Sequence, residues 1–99
     1  MNSVALQVLN GPNAGHRLWV RLEQVLHVGS TDQADVMIAA EPGGEPFHFS
    51  IGHSRAGCFA ECLNDGSPMN VNGKEMQRAR LHDGDILMVG DIQFRALLE

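Results

Sequence analysis

The stretch Leu81-His82-Asp83-Gly84-Asp85-Ile86-Leu87-Met88-Val89-Gly90 contains the pattern on which the whole chain is built. Asp and Gly residues precede a short apolar run at residues 85–89, and Gly90-Asp91 separates that run from a second one at residues 92–97. Glycine adopts positive φ angles and Asp side chains bond their own backbone, so both residue types favour turns. Short apolar runs separated by such turns predict β-strands joined by tight connections.

The same pattern extends toward the N-terminus. Further apolar runs lie at residues 4–8, 18–22, 25–28, 35–38, 47–51 and 58–63. Turn residues separate the runs, at 11–15, 42–44, 64–68 and Asn72-Gly73, and Asn-Gly is the strongest hairpin signal among them. Residues 75–81 are read as a helical turn that is too short for a core helix. The spacing predicts an all-β sandwich or barrel.

Length and composition limit the classes of protein to which the chain can belong. It has 99 residues, a mass of 10.8 kDa, 43% hydrophobic residues and 19% charged residues. We expect one domain, residues 1–99, with one hydrophobic core, which excludes multidomain enzymes and doubly wound nucleotide-binding folds. No apolar run approaches the ~20 residues that cross a bilayer, so we expect a cytoplasmic domain without direct membrane contact.

The charge balance disfavours nucleic acid as a partner. Seven basic and twelve acidic residues give a formal net charge of −5, and an acidic chain repels phosphate backbones. The main basic residues outside the first strands form either a small anion-binding patch or solvated loop charges: Arg55, Lys74, Arg78 and Arg80.

Trp19 alternates with Leu18, Val20 and Leu22, which the pattern assigns to the interior. Its indole therefore either points outward as an anchor for a protein contact or covers one edge of the core. The sequence leaves both alternatives open.

The two cysteines, Cys58 and Cys62, are four residues apart. In a strand this spacing places both on one face about 13 Å apart, too far for a disulfide, and a reducing cytosol is their expected environment. With His48 and His53 they form a conceivable zinc set, but the cysteines lie in mid-strand rather than in a tight knuckle. We therefore expect small core side chains, no metal ligands and no cofactor.

No catalytic residues are predicted. The serines lack a strand-to-helix nucleophile turn, and Asp83 and Asp85 flank Gly84 as parts of a turn. Residues 11–15 are not followed by the Lys-Ser/Thr and helix start of a phosphate-binding loop. We do not expect an enzyme.

The motifs quoted above line up with a known family. Gly29-Ser30, Asp35-Val36-Met37-Ile38, Phe47-His48-Phe49-Ser50-Ile51, Val71-Asn72-Gly73 and Leu81-x-Asp-Gly-Asp-x-x-x-x-Gly90 follow the order of the forkhead-associated (FHA) domain, which the chain resembles over nearly its whole length. The resemblance implies about eleven strands in two twisted sheets, with recognition loops at one end. It implies that His48 supports these loops through hydrogen bonds. The residues assigned structural roles are Gly29, His48, Asn72, Gly73, Asp83, Gly84 and Asp85.

The phosphothreonine pocket of that family is largely missing. Ser30 stands where the family has Arg, Glu45 stands where it has Ser, and Ser67 stands where it has Asn. A dianionic phosphate needs charged donors, so phosphate binding would require a displaced pocket built from Arg55, Arg78 or Arg80. The residues predicted to bind partners at the loop tips are Ser30, Thr31, His53, Ser54, Arg55 and Ser67.

Two short motifs point to one subgroup of FHA-like domains. Gly29-Ser30 and Pro46-Phe47-His48 are similar to the degenerate FHA-like cytoplasmic domain of the type III secretion inner-membrane ring proteins, the YscD/SctD family. This implies a non-catalytic scaffold that binds proteins and associates with copies of itself into a ring when tethered to a membrane. The alternative is an adaptor that binds phosphothreonine peptides in signalling.

Overall fold

A computed structural model describes residues 3–44, 46–63 and 69–99. These residues form eleven β-strands and no helix. The strands are β1 Val4–Val8, β2 Arg17–Val20, β3 Gln24–Gly29, β4 Val36–Met37, β5 His48–Ser54, β6 Gly57–Cys62, β7 Met69–Val71, β8 Lys74–Met76, β9 Arg78–Leu81, β10 Ile86–Val89 and β11 Ile92–Leu98. The predicted all-β class and the strand number implied by the resemblance are confirmed.

The strands form two sheets that face each other. The six-stranded sheet has the order β2-β1-β11-β10-β7-β8, and the five-stranded sheet has the order β4-β3-β5-β6-β9. Of the recorded strand pairs only β3 with β4 is parallel. Buried and more exposed residues alternate along β5, β9 and β11, because each sheet turns one face to the core and one face to solvent.

Three phenylalanines join the two sheets in the core. Phe49 on β5 and Phe94 on β11 meet edge to face, with ring centroids 5.3 Å apart, and Phe47 lies 6.4 Å from each of them. All three side chains are at most 1% exposed. Such aromatic pairs contribute about 0.5–1.5 kcal/mol each beyond the burial of their area, so they hold the start of β5 against the six-stranded sheet.

The predicted Asn72-Gly73 hairpin is confirmed. It joins β7 to β8, with φ angles of 52° at Asn72 and 86° at Gly73. Two successive positive φ values define the turn type whose twist matches that of the flanking strands. Asn favours this left-handed conformation more than most residues with a side chain, and Gly adopts it without strain.

A set of polar contacts ties this hairpin to the turn between β9 and β10. Asp85 accepts hydrogen bonds from the His82 N–H at 2.8 Å and from the Asn72 amide at 3.0 Å. The Asn72 side-chain Oδ1 accepts the Ile86 N–H at 2.9 Å, and the Asp83 carboxylate accepts the Leu98 N–H at 2.9 Å. Burial opposes ionisation of Asp85, but the contacts with His82 and Asn72 outweigh it and hold the pKa of that carboxyl below its ordinary value.

Two local interpretations of the sequence are corrected by the structure. Residues 75–81 are not a helical turn but belong to β8 and β9 with Gln77 between them. Leu22 was assigned to the interior, yet it is 49% exposed, because β2 ends at Val20 and the chain turns at Glu23, whose φ is 67°. Both errors arise at short strands, where a few alternating residues carry little periodic signal.

Candidate functional site

The predicted binding residues lie at two opposite ends of the five-stranded sheet. Ser30 and Thr31 follow β3 at the end where Gly29 pairs with His48. His53, Ser54 and Arg55 lie at the other end of β5, about 20 Å away at the usual rise of a strand. One small ligand therefore cannot touch both groups. Ser67 and Glu45 lie outside the described residues.

Among the described residues, four connections form the loop end: residues 9–16, 30–35, 38–44 with 46–47, and 90–91. Side chains join them, since Asn13 accepts the Ala39 N–H at 2.9 Å and the Asn10 amide donates to the Asp91 carbonyl at 2.8 Å. This is the end at which the resemblance places the recognition loops.

Ser30 is engaged within the loop end. Its hydroxyl oxygen accepts the Phe47 N–H at 3.0 Å and lies 3.5 Å from the Phe47 carbonyl oxygen. The Ser30 N–H donates to the same carbonyl at 3.0 Å. Ser30, at the position where the resemblance places an arginine, therefore joins two loops. Its hydroxyl already bonds to the Phe47 backbone.

Gly29 and His48 pack beneath these loops. A Cβ at Gly29 would lie 2.9 Å from the Phe47 carbonyl oxygen, so only glycine fits this close approach of two backbones. The His48 ring contacts the His27 ring with centroids 5.5 Å apart. Its Nε2 atom is buried and has no hydrogen-bond partner among the described residues, and the hydrogen-bonded support of the loops that the resemblance implies stays a prediction.

The charge of the loop end is negative. The described parts of its four connections contain four carboxylates and neither Lys nor Arg: Asp32, Asp35, Glu41 and Asp91. The Asp35 carboxylate already accepts a hydrogen bond from the His27 N–H at 2.9 Å. A phosphate with nearly two negative charges would meet repulsion here and no guanidinium to offset it.

Of the three predicted binding residues at the far end, Arg55 is the one whose side chain is open to a ligand. His53 is 4% exposed, because it faces the core, where its Nδ1 lies 3.3 Å from the Val20 carbonyl oxygen. The Ser54 hydroxyl accepts the Ala56 N–H at 3.2 Å. Arg55 lies exposed in the turn between β5 and β6.

The residues considered for metal binding do not converge. His53 and Cys58 are register partners that face the core, whereas His48 belongs to the alternate, outward set of β5 residues. Within the described ranges no group of three His, Cys, Asp or Glu side chains is arranged to hold a metal ion. Both cysteines are buried and neither forms a disulfide. Burial raises the pKa of Cys58 to about 11, so its thiol is a poor ligand and nucleophile at neutral pH.

The outer face of the five-stranded sheet carries a groove that sequence reasoning missed. Its volume is about 270 Å³. Val25 on β3 and Phe59 on β6 stand on either side of Gly52 on β5, and the remaining lining residues of the groove are Glu23, Gln24, Ser50, His53, Ser54, Glu61 and Arg78. We call it the outer groove. The signal was present in the alternation around Val25 and Phe59, but their adjacency depends on strand register.

The opposite face of the molecule carries Trp19. Its side chain is 58% exposed, so the outward orientation is the one that the structure has. It stands on β2 beside Ala5, which is fully buried, and Arg17 and Arg95 lie on the same outer face of the six-stranded sheet. In the described part of the chain no helix meets the length and hydropathy needed to span a bilayer.

Comparisons with known proteins give matches at the level of structure alone. Searches against protein-family models and against curated proteins find no match. The FHA domain of the CT664 protein from Chlamydia trachomatis is 18% identical, with a TM-score of 0.83 over 98% of both chains. The cytoplasmic domain of the type III secretion sorting platform protein PscD from P. aeruginosa is also 18% identical, with a TM-score of 0.77 over 95% of this chain and 78% of that one.

A third solved structure comes from work on phosphothreonine-dependent FHA domain interactions. It is 21% identical, with a TM-score of 0.77 over 98% of this chain and 97% of that one. Identities this low establish architecture and leave the ligand open. With eleven strands in the observed order and these likenesses, the chain has the fold of the forkhead-associated domain.

Proposed function

We propose that this chain is a non-catalytic protein–protein interaction module that recognises protein surfaces without reading phosphothreonine. The observation that carries the proposal is Ser30, which stands in place of the family's arginine and whose hydroxyl is taken up by the Phe47 backbone. The acidic loop end around it adds repulsion. FHA-fold neighbours support the coarse role, because several of them were solved in work on protein or phosphopeptide binding.

The expected affinity of this module for phosphate is far below that of an FHA domain with the charged donors. Each hydrogen bond to a charged group contributes about 1.5–3 kcal/mol. Two missing contacts of this kind, at positions 30 and 45, weaken phosphate binding by about two to four powers of ten. Repulsion from Glu41 and its acidic neighbours lowers the affinity further.

The finer proposal is a cytoplasmic scaffold domain of a type III secretion inner-membrane ring. Three features support it: the likeness to the PscD cytoplasmic domain, the Gly29-Ser30 step and the Pro46-Phe47-His48 step. In such an assembly, copies of the domain associate with one another when tethering to a membrane raises their local concentration.

Titration with phosphothreonine peptide libraries tests the loss of phosphate reading. Fluorescence anisotropy with phosphorylated and unphosphorylated pools is expected to give no phosphate-dependent binding up to millimolar protein. The alternative, a phosphothreonine adaptor, predicts submillimolar binding that requires the phosphate. Because Arg55 is the exposed cation in the turn between β5 and β6, loss of such binding in Arg55→Ala, with binding retained in Arg95→Ala, would establish the adaptor and overturn our proposal.

The secretion-ring role is tested in the producing organism. A tagged chain is expected to co-fractionate with assembled inner-membrane rings, and its deletion is expected to stop secretion of effector proteins. Unchanged secretion in the deletion strain would exclude this role while leaving the coarser interaction function untouched.

A further inference from the structure

The chain carries an exposed anchor on one sheet and a matching groove on the other. Trp19 is the single tryptophan of the sequence and is 58% exposed on the outer face of the six-stranded sheet. Tryptophan and arginine are enriched among the few residues that contribute most of the binding energy of protein interfaces. Such an anchor needs an apolar pocket on its partner.

The outer groove has the dimensions of such a pocket. Val25 and Phe59 form its walls on β3 and β6, and β5 lies between them, so the walls are about 10 Å apart. Gly52 leaves the floor without a side chain. The volume of about 270 Å³ exceeds the ~150 Å³ of a cavity that holds a benzene ring, which gives room for an indole.

The charges around anchor and groove are complementary. Arg17 and Arg95 lie in the register row next to that of Trp19, on an outer face whose described residues on β1, β2, β10 and β11 include no carboxylate. Glu23 and Glu61 line the groove. None of these four charges has an ion-pair partner among the described residues.

Arg78, the groove's own cation, does not neutralise Glu61 across the strand pair. Its guanidinium lies over the Phe59 ring, 5.6 Å from the ring centre. The Phe59 ring therefore already stacks with a flat cationic group. The carboxylates of Glu23 and Glu61 remain available to arginines of a partner.

We propose that Trp19 of one copy inserts into the outer groove of a second copy, with Arg17 and Arg95 facing Glu23 and Glu61. This inference rests on the self-association in the proposed function and names its interface. Because anchor and groove lie on opposite sheets, the contact is head to tail: each copy uses its anchor toward one neighbour and its groove toward the other. Such a contact closes into a ring when the rotation per copy permits.

The first experiment follows Trp19 emission in the full chain as its concentration rises. With no tyrosine and one tryptophan in the sequence, the signal reports on this indole alone. We expect a blue shift that develops toward ~1 mM, the concentration range that tethering supplies. Gly52→Thr, which places a side chain on the groove floor, is expected to abolish the shift.

Gly52→Thr is expected to fold, because a Cβ at this position meets Val25 Cγ2 at 3.4 Å and the Gln24 carbonyl at 3.9 Å and Thr favours strands. Met37→Ala is the matched control for loss of exposed apolar surface, since Met37 is 60% exposed on β4, away from anchor and groove. It is expected to leave the association unchanged. Thermal unfolding of each variant verifies that it is folded.

A mixing experiment isolates the head-to-tail geometry. Trp19→Ala keeps its groove but has no tryptophan, and Gly52→Thr keeps its anchor but has a blocked groove. Titrating the first into the second should restore the blue shift and give a 1:1 heterodimer by sedimentation that grows no further. The double variant Trp19→Ala/Gly52→Thr, with neither surface, should give no shift.

The outcomes separate the two proposals. No shift in the mixture, or an equal shift with the double variant, overturns this interface. Failure here together with phosphate-independent binding of another protein would leave the proposed interaction function standing. Phosphothreonine binding in the titration above would instead overturn the proposed function itself.

Discussion

At the scale of single residues, the proposed loss of phosphate reading depends most on position 30. An arginine there would project a guanidinium toward solvent, whereas Ser30 is short enough to bond the Phe47 backbone. The same substitution removes a ligand contact and supplies a structural one. Residue identity at this point therefore affects both affinity for phosphate and stability of the loops.

Ser30→Ala is expected to lower the free energy of unfolding by about 1–2 kcal/mol, because the partly buried Phe47 N–H loses its acceptor. Urea unfolding of both proteins measures the difference. Thr31→Ala, at the neighbouring exposed position, should change stability by less than ~0.5 kcal/mol. Equal effects of the two substitutions would show that the Ser30 hydroxyl has no structural role.

The raised pKa of Cys58 predicts a loss of folding stability in alkaline solution. Its pKa is about 11 in the folded chain, above the ordinary thiol value, so the unfolded chain loses this proton first as the pH rises. The contribution is fully present below pH ~9 and falls between there and pH ~11 by up to about 1.4 kcal/mol per pH unit. The free energy of unfolding, measured with urea at several pH values in this range, should fall more steeply with pH for the native chain than for Cys58→Ala. Equal slopes for the two chains would contradict the raised pKa of Cys58.

At the scale of elements, the hairpin of β7 and β8 depends on two kinds of local chemistry. Its turn requires positive φ at Asn72 and Gly73, and its orientation is set by the Asn72–Asp85 hydrogen bond. A two-stranded hairpin is marginal by itself, so pairing of β7 with β10 and the Asp85 contacts hold it in the six-stranded sheet.

Gly73→Val is expected to destabilise the fold by about 1–2 kcal/mol, because a β-branched residue is strained at a φ of 86°. No heavy atom lies within 4 Å of a Cβ placed there, so the cost comes from backbone conformation rather than from a clash. The matched control is Lys74→Val, on the adjoining strand. Thermal unfolding of the two variants makes the comparison, and equal melting temperatures would refute the turn argument.

Asp85→Ala is expected to cost about 1–3 kcal/mol at pH 7, because the His82 N–H and the Asn72 amide lose their acceptor. The pKa of Asp85 is lowered in the folded chain, so its contribution is present above the unfolded pKa near 4 and is lost as the pH falls through the folded value. The difference between native and variant chains in urea unfolding should therefore narrow below pH ~4. A difference that stays constant to pH 2 would argue against this ionised contact.

At the scale of the whole molecule, the two sheets present different surfaces. The six-stranded sheet carries Trp19 and arginines on its outer face, the five-stranded sheet carries the outer groove, and the loop end is acidic. This distribution suits contacts with neighbours on two sides. The described residues of the loop end include neither Lys nor Arg.

The chain by itself is expected to be monomeric or weakly associating at micromolar concentration, because one small apolar anchor does not offset the entropy of association. Sedimentation velocity at ~10 µM and at ~1 mM measures this, and tethering the chain to vesicles should raise the association through effective concentration. A tight oligomer at micromolar protein would contradict the expectation.

Much of the fold was predictable because its signals are local. Turn chemistry at Asn72-Gly73 and Asp83-Gly84 and alternation in the longer runs depend on residues that are adjacent in the chain. Strands β7, β8 and β9 gave no clear periodic signal, since each has only three or four residues. The Asn72-Gly73 turn predicted the hairpin of β7 and β8, and β9 was anticipated only through the strand number that the FHA resemblance implies.

The features of the candidate site are likewise of two kinds, those set by residue identity and those set by contacts between distant strands. The sequence alone determined that no arginine stands at position 30 and that the loops are acidic, since these are matters of residue identity. Only the tertiary structure decided that His53 is buried, that Ser30 and Arg55 lie at opposite ends, and that Val25, Gly52 and Phe59 form one groove. Neighbours across a sheet are set by the register of strands far apart in sequence, and that register is fixed by packing of the whole core.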